Sequence, residues 1–230
     1  MRLLELFSGT GSLGRAFEDW EVTSLDVSFD PTIKQDILEW DYRKHAPPGH
    51  YDFIWASPPC TQYSRARTTG GPRDLDGADR LVRKALEIID YFRPPRGFLL
   101  ENPATGLLRS RDVVRGLPCF LVTYCSYGYP YRKPTLLFGR LPGFVPQLTC
   151  FEQPCDAKRL LGRHVLSAQR GPSATGAPGL PQRLLYTLPP ELCQDIYRAV
   201  VENVPDALVD GQERGLDPPA VHRERQRRVR

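Results

Sequence analysis

No stretch of the 230-residue sequence comes near the roughly 20 consecutive apolar residues that a bilayer crossing needs, and mean hydropathy is −0.40. A membrane-spanning helix is therefore not expected. The first residues lack the basic region, apolar stretch and small-residue cleavage site of a secretory signal, and residues 3–7 read instead as a core strand. We therefore expect an intracellular protein, with the nucleus as an open destination. Six cysteines without secretion do not suggest a disulfide framework, which leaves reduced thiols, a metal or catalysis as their uses. Neither charge sign dominates: 31 Lys and Arg face 27 Asp and Glu, for a net charge of +4. That balance excludes an acidic disordered chain and gives only a weak hint of a polyanionic partner. Internal repeats are also missing. What is present, at 40% hydrophobic, 10% aromatic and 25% charged residues, is the composition of a globular protein with one main core.

Short apolar runs alternate with amphipathic stretches over the first two thirds of the chain, which predicts an α/β domain with a largely parallel sheet. We read strands over residues 3–7, 22–26, 51–56 and 97–101, and two more over 120–124 and 135–139. Ala78, Leu81, Val82, Ala85, Ile88, Ile89 and Phe92 recur at helical spacing, and Pro94-Pro95 ends that helix. The sheet-bearing part should span residues 1–139. Periodicity then fades over 140–182, an irregular insertion. A returning helix follows over 183–204, on which Leu192, Ile196, Val200 and Val204 share a face. Residues 205–230 are polar, end in an arginine-rich run, and are expected to be a disordered basic tail.

Chemistry concentrates where predicted strands end. The first runs into Ser8-Gly9-Thr10-Gly11-Ser12-Leu13-Gly14, glycines placed where backbone bends and approaches a ligand before a helix begins. Asp26 closes the second strand, where a carboxylate can accept from both hydroxyls of a ribose, and Asp36-Ile37 offers a polar and an apolar contact for an adenine. A plain turn beside a surface Asp is the competing reading. Ser57-Pro58-Pro59-Cys60 follows the next strand, and its prolines fix the backbone that presents Cys60. A thiolate there, its pKa lowered by nearby Arg or backbone dipoles, could add to an electron-poor ring carbon; most cysteines are instead inert core. Glu101-Asn102-Pro103 ends the neighbouring strand, where a protonated Glu101 could donate to a ring nitrogen, unless the pair merely caps a helix.

In order and spacing, Phe7-Ser8-Gly9-Thr10-Gly11, Asp26, Asp36-Ile37, Pro59-Cys60, Glu101-Asn102-Pro103 and Tyr127-Gly128-Tyr129-Pro130 resemble the motifs of the DNA cytosine-5 methyltransferase family. The resemblance implies a Rossmann-like α/β fold with a small recognition insertion, and transfer of a methyl group from S-adenosylmethionine to C5 of cytosine in DNA. It assigns the cofactor to Phe7, Ser8, Gly9, Thr10, Gly11, Ser12, Leu13, Asp26, Val27, Asp36, Ile37 and Pro59. Cys60 becomes the nucleophile and Glu101 the base-contacting acid. Arg132 and Lys133 are what remain of an arginine-bearing strand motif that would meet the cytosine carbonyl. Ser64, Arg65, Arg67 and Arg73 lie on a loop suited to closing over phosphates. Such a protein would act as a monomer on DNA. An RNA-directed cytosine-5 enzyme, an amino-methyltransferase and a degenerate binding module are the rival readings.

Cys150, Cys155 and His164 lie in the insertion. They could supply three ligands to zinc, but a structural site takes four, and the sequence shows no fourth. We therefore expect no required metal. Cys119, Cys125 and Cys193 sit in apolar surroundings and read as core.

Overall fold

In the computed structural model, which describes residues 1–67, 71–169, 171 and 176–202, seven strands form one mixed sheet. They are β1 (Arg2–Leu6), β2 (Glu21–Asp26), β3 (Ile33–Lys34), β4 (Phe53–Ala56), β5 (Phe98–Pro103), β6 (Cys119–Thr123) and β7 (Pro134–Arg140), in spatial order β3-β2-β1-β4-β5-β7-β6. The first five pair in parallel, while β7 runs antiparallel between β5 and β6. This is an α/β, Rossmann-like sheet. The order turns outward in both directions from β1 and β4, so loops leaving their carboxyl ends flank the crevice where such sheets bind ligands. The two-residue β3 was too short to announce itself by pattern.

Side chains alternate across the sheet, and each face has its own core. Leu4, Leu6, Ile54, Ala56 and Leu100 meet helix α2 (Leu75–Phe92), whose Val82, Ala85, Ile88 and Phe92 are fully buried at the predicted spacing. Asp74 caps its start by accepting from the Gly77 N–H at 2.7 Å. At its end Arg93 adopts φ 48°, ahead of the Pro94-Pro95 stop. Leu3, Phe53, Trp55 and Leu99 face the other way, toward Phe17, Trp20 and the last described helix, Pro190–Glu202, whose Leu192, Ile196 and Val200 are buried. Arg96 donates to the carbonyls of Val200 (2.6 Å) and Val201 (3.2 Å) and so satisfies that helix's C-terminal end.

The helix expected after the glycine loop is a single 3₁₀ turn, Gly14–Phe17. Only six residues separate Gly14 from β2, too few for a helix of several turns. The last described helix fills the missing layer, joined by an edge-on contact of Phe17 with Tyr197 at 5.1 Å and by a 2.8 Å bond from the Tyr197 hydroxyl to Asp19. Among the described residues two short helices, α3 (Asp156–Leu161) and α4 (Gln182–Leu185), interrupt residues 140–189, and α1 (Tyr42–His45) adds one turn before β4. Among the described residues no helix is long and apolar enough to cross a membrane. The tail expected over 205–230 lies outside the described residues.

Candidate active site

Two loops build the mouth at the switch point. After β1 the chain turns through three left-handed residues, Phe7 at φ 55°, Gly9 at 52° and Gly11 at 65°. Phe7 bears a strain of about 1–3 kcal/mol that glycine would avoid. The turn is held open by Asp26, whose Oδ2 accepts from the Gly9 N–H (2.9 Å) and Oδ1 from the Ser28 N–H (2.7 Å). Remaining lone pairs leave this carboxylate able to accept a ligand hydroxyl. Ser8, Gly9, Thr10, Gly11 and Arg15 line a cleft of ≈ 490 Å³, a size that takes a small molecule. A methyl group added at Gly9 or Gly11 would meet nothing closer than 3.8 Å, so the cradle stands open to a guest. The polar cradle, the acidic strand end and the volume fit a nucleoside cofactor. Not every residue assigned to one faces it: Leu13 (0% exposed) and Ile37 (2%) are packed into the core, and Pro59 lines a separate hollow of ≈ 340 Å³. The apolar half of the Asp36-Ile37 pair, read as an adenine contact, is packed into the core. Asp36 turns its carboxylate to the Leu38 N–H at 2.9 Å, while Val27 is exposed.

Glu5 also lines this cleft, a buried acid among the leucines of β1 that sequence reading passed over. It lies beneath Gly14, where a Cβ would come within 2.9 Å of its carboxylate oxygen. Burial pushes its pKa up to about 7, although the Leu13 and Gly14 N–H groups donate to it. The folded protein therefore keeps a proton that the unfolded chain releases near 4.5. Stability should fall as pH rises between about 4.5 and 7, by roughly 3 kcal/mol at 1.36 kcal/mol per pKa unit, and then level off. Urea titrations at pH 5 and pH 8 check this. Glu5→Gln should remove most of the difference, and an unchanged difference in that variant would assign it to other groups.

The second loop follows β4. Asn102 in β5 donates from Nδ2 to the Pro58 carbonyl at 3.0 Å, fastening the Pro-Pro-Cys turn to the neighbouring strand. The Cys60 carbonyl then accepts from the Tyr63 (3.0 Å) and Ser64 (2.8 Å) N–H groups, and the turn leaves Cys60 partly exposed. Beside it Glu101 is 7% exposed, accepts from the Tyr124 hydroxyl at 3.2 Å, and has the Lys133 ammonium 3.7 Å away. Lys133 also donates to the Leu185 carbonyl (3.3 Å) and lies 4.7 Å from the Tyr124 ring center. Burial and the negative Glu101 push the Cys60 thiol up, and Lys133 opposes them. This runs opposite to the expected lowering of the Cys60 pKa.

The family model for C-5 cytosine-specific DNA methylases matches residues 1–132, more than half of the chain and both loops of the mouth. The chain belongs to the C-5 cytosine-specific DNA methylase family. It is 36% identical over 216 residues to "Probable DNA (cytosine-5)-methyltransferase" of Frog virus 3 (isolate Goorha), covering 85% of this chain and 98% of that one. It is 29% identical over 177 residues to "Type II methyltransferase M.AgeI" of Thalassovita gelatinovora, covering 62% of this chain but only 40% of that protein. A solved Entamoeba histolytica methyltransferase, EhMeth, aligns at 15% identity and TM-score 0.47 over 65% of this chain and 55% of its own.

In this methylase-family chain, three residues read as phosphate contacts have internal partners. Arg67 donates to Gln62 Oε1 (3.2 Å) and the Gly71 carbonyl (3.0 Å), and Arg73 to the carbonyls of Gln62 (2.7 Å) and Arg67 (3.3 Å). Ser64 Oγ accepts from the Ala66 N–H at 3.2 Å, whereas Arg65 is exposed. Residues 68–70 of this loop lie outside the described residues. Arg132 sets its guanidinium 4.9 Å from the Phe151 ring center. Sequence reading missed Tyr124, whose place against Glu101 depends on β6 and β7 pairing antiparallel beside β5. It also missed the anchor of the Cys60 loop. The buried Tyr63 donates to Asp79 of α2 at 2.8 Å, and Asp79 is paired with Arg111 at 2.8 Å.

Proposed function

We propose that this chain transfers a methyl group from S-adenosylmethionine to C5 of cytosine in DNA, with Cys60 as a transient covalent nucleophile. The observation that carries the reading is the grouping of Cys60, Glu101 and Lys133 in one half-buried mouth, close enough for each charge to bear on the thiol. Ser8 to Gly11 and Asp26 would hold the cofactor, which when bound supplies an electrophilic methyl group. A stacked cytosine offers neither ring face to a thiolate, so the target base must leave the duplex and enter the mouth.

There Cys60 gives up its thiol proton to the Glu101 carboxylate, Glu101 shares that proton with ring N3, and the Cys60 thiolate adds through sulfur to C6, which makes C5 nucleophilic. The electrostatics couple the two steps. Once Glu101's charge is neutralised against the ring, its penalty on the Cys60 thiolate disappears while the attraction of Lys133 remains. Base entry itself thus favours the reactive ionisation state. After C5 is methylated, loss of the C5 proton re-forms the C5–C6 double bond and expels the Cys60 thiolate. Tyr124 and Lys133 hold the Glu101 carboxyl in place throughout.

Duplex DNA containing 5-fluorocytosine tests the reading. Fluorine occupies the position from which the proton leaves, so elimination fails, and a Cys60-linked adduct that needs S-adenosylmethionine should survive denaturing electrophoresis. Methylation without any adduct would indicate an amino-methyltransferase. Trapping on RNA but not on DNA would move the chain to an RNA-directed role.

A further inference from the structure

Cys125, Cys150, Cys155 and His164 converge at the end of β6, with all four ligand atoms within 4.8 Å of one another. We propose that they form a structural zinc site of the Cys₃His type. The missing fourth ligand is Cys125, which the sequence placed in the apolar core. It lies in the 3₁₀ turn Tyr124–Tyr127, outside the insertion that carries the other three. No sequence spacing could have joined them.

The distances among Cys150, Cys155 and His164 fit the metal. Tetrahedral zinc with Zn–S near 2.3 Å and Zn–N near 2.0 Å sets sulfur atoms about 3.8 Å apart and sulfur and nitrogen about 3.5 Å apart. Here Cys150 Sγ lies 3.7 Å from Cys155 Sγ, and His164 Nε2 lies 3.5 Å and 3.3 Å from those two sulfurs. A disulfide needs about 2.05 Å, and all the cysteines are free. Packing alone does not account for the group: the three buried cysteines form a cluster apart from both main cores, and among the described residues the partly buried hydrophobic side chain packed against them is Ala157.

The backbone around the ligands is fixed independently. Cys150 N–H donates to Thr123 Oγ1 at 2.8 Å, Glu152 accepts from both the N–H and the hydroxyl of Thr149 at 2.9 Å, and Cys155 is the N-cap residue of α3. Soft thiolates with one imidazole select zinc over oxygen-seeking Mg²⁺ or Ca²⁺, and four protein ligands leave no open position, so the site is structural. Three thiolates around Zn²⁺ leave one net negative charge, and Lys158 and Arg132 are the cations bearing on the cluster. The metal would pin the insertion to the end of β6. It would also fix Phe151, next to Cys150, under the Arg132 guanidinium beside Lys133.

Zinc content of the full chain, purified without chelators, tests this independently of methyl transfer. One zinc per chain is expected, and cobalt exchange should produce the visible absorption of a tetrahedral thiolate site. Cys125→Ser and Cys155→Ser should lose the metal, while Cys119→Ser keeps it. The proposal fails if the wild-type chain carries less than a tenth of an equivalent, if its thiols are found as a disulfide, or if cobalt gives no thiolate charge-transfer band. Full zinc in a folded Cys125→Ser variant would also overturn it. The cobalt spectrum of the wild-type chain decides the matter if the serine variants do not fold.

Discussion

Cys60→Ala is expected to abolish methyl transfer, by on the order of 10⁴-fold or more in kcat, with cofactor and DNA affinity close to those of the parent. The size follows from the role: without sulfur, no group in the mouth can add to C6, and C5 stays a poor nucleophile. Glu101→Gln should be slower by about 10²- to 10⁴-fold, the range for losing a positioned proton donor, because an amide keeps the hydrogen-bonded shape but cannot pass the same proton. Steady-state kinetics with single-turnover controls separates these losses from weakened binding. Methylation at C5 that persists in Cys60→Ala would sink the covalent mechanism, and parental rates in Glu101→Gln would remove Glu101 from it.

Arg111→Ala should cost about 3 kcal/mol of folding stability, the lower end of the range for stranding one member of a buried ion pair. The lower end applies because the Arg111 side chain is 29% exposed while that of Asp79 is 4%. Asp79 would be left with only Tyr63, whose hydroxyl donates to its other oxygen at 2.8 Å. Urea denaturation checks the loss, and Tyr63→Phe in the same background should be less than additive because the two share one carboxylate. A change under 1 kcal/mol would show that water replaces Arg111 without difficulty. The effect should reach Cys60 as well, since Tyr63 anchors the turn that follows it.

The parts of this molecule legible in its sequence are those set by local pattern. The α2 face, the strand cores and the motif-bearing loops after β1, β4 and β5 all rest on periodicity and on glycine or proline at fixed positions. Ile37 shows the limit of that reading, because an apolar residue in a plausible motif looks the same whether it meets a ligand or the core. Arg67 and Arg73 show another, since their donors close the loop on itself and charge alone does not reveal a partner. Tyr124 and Cys125 were invisible for a third reason. Both act across chain separations that only the antiparallel return of β7 and the docking of the insertion create.

The docking of the last described helix across the first loop has a consequence for synthesis. Ser12 of the glycine cradle accepts from the Leu188 N–H, 176 residues later in the chain, and Asp19 waits for Tyr197. At roughly 5–20 residues per second a ribosome needs about ten seconds or more to bridge that interval. Through it, Leu3, Phe17 and Phe53 lack the part of their covering layer that the last described helix supplies. The glycine loop, made first, is therefore among the last parts to be finished, and the nascent chain carries a partly open apolar flank that a chaperone or an unwanted neighbour can reach first.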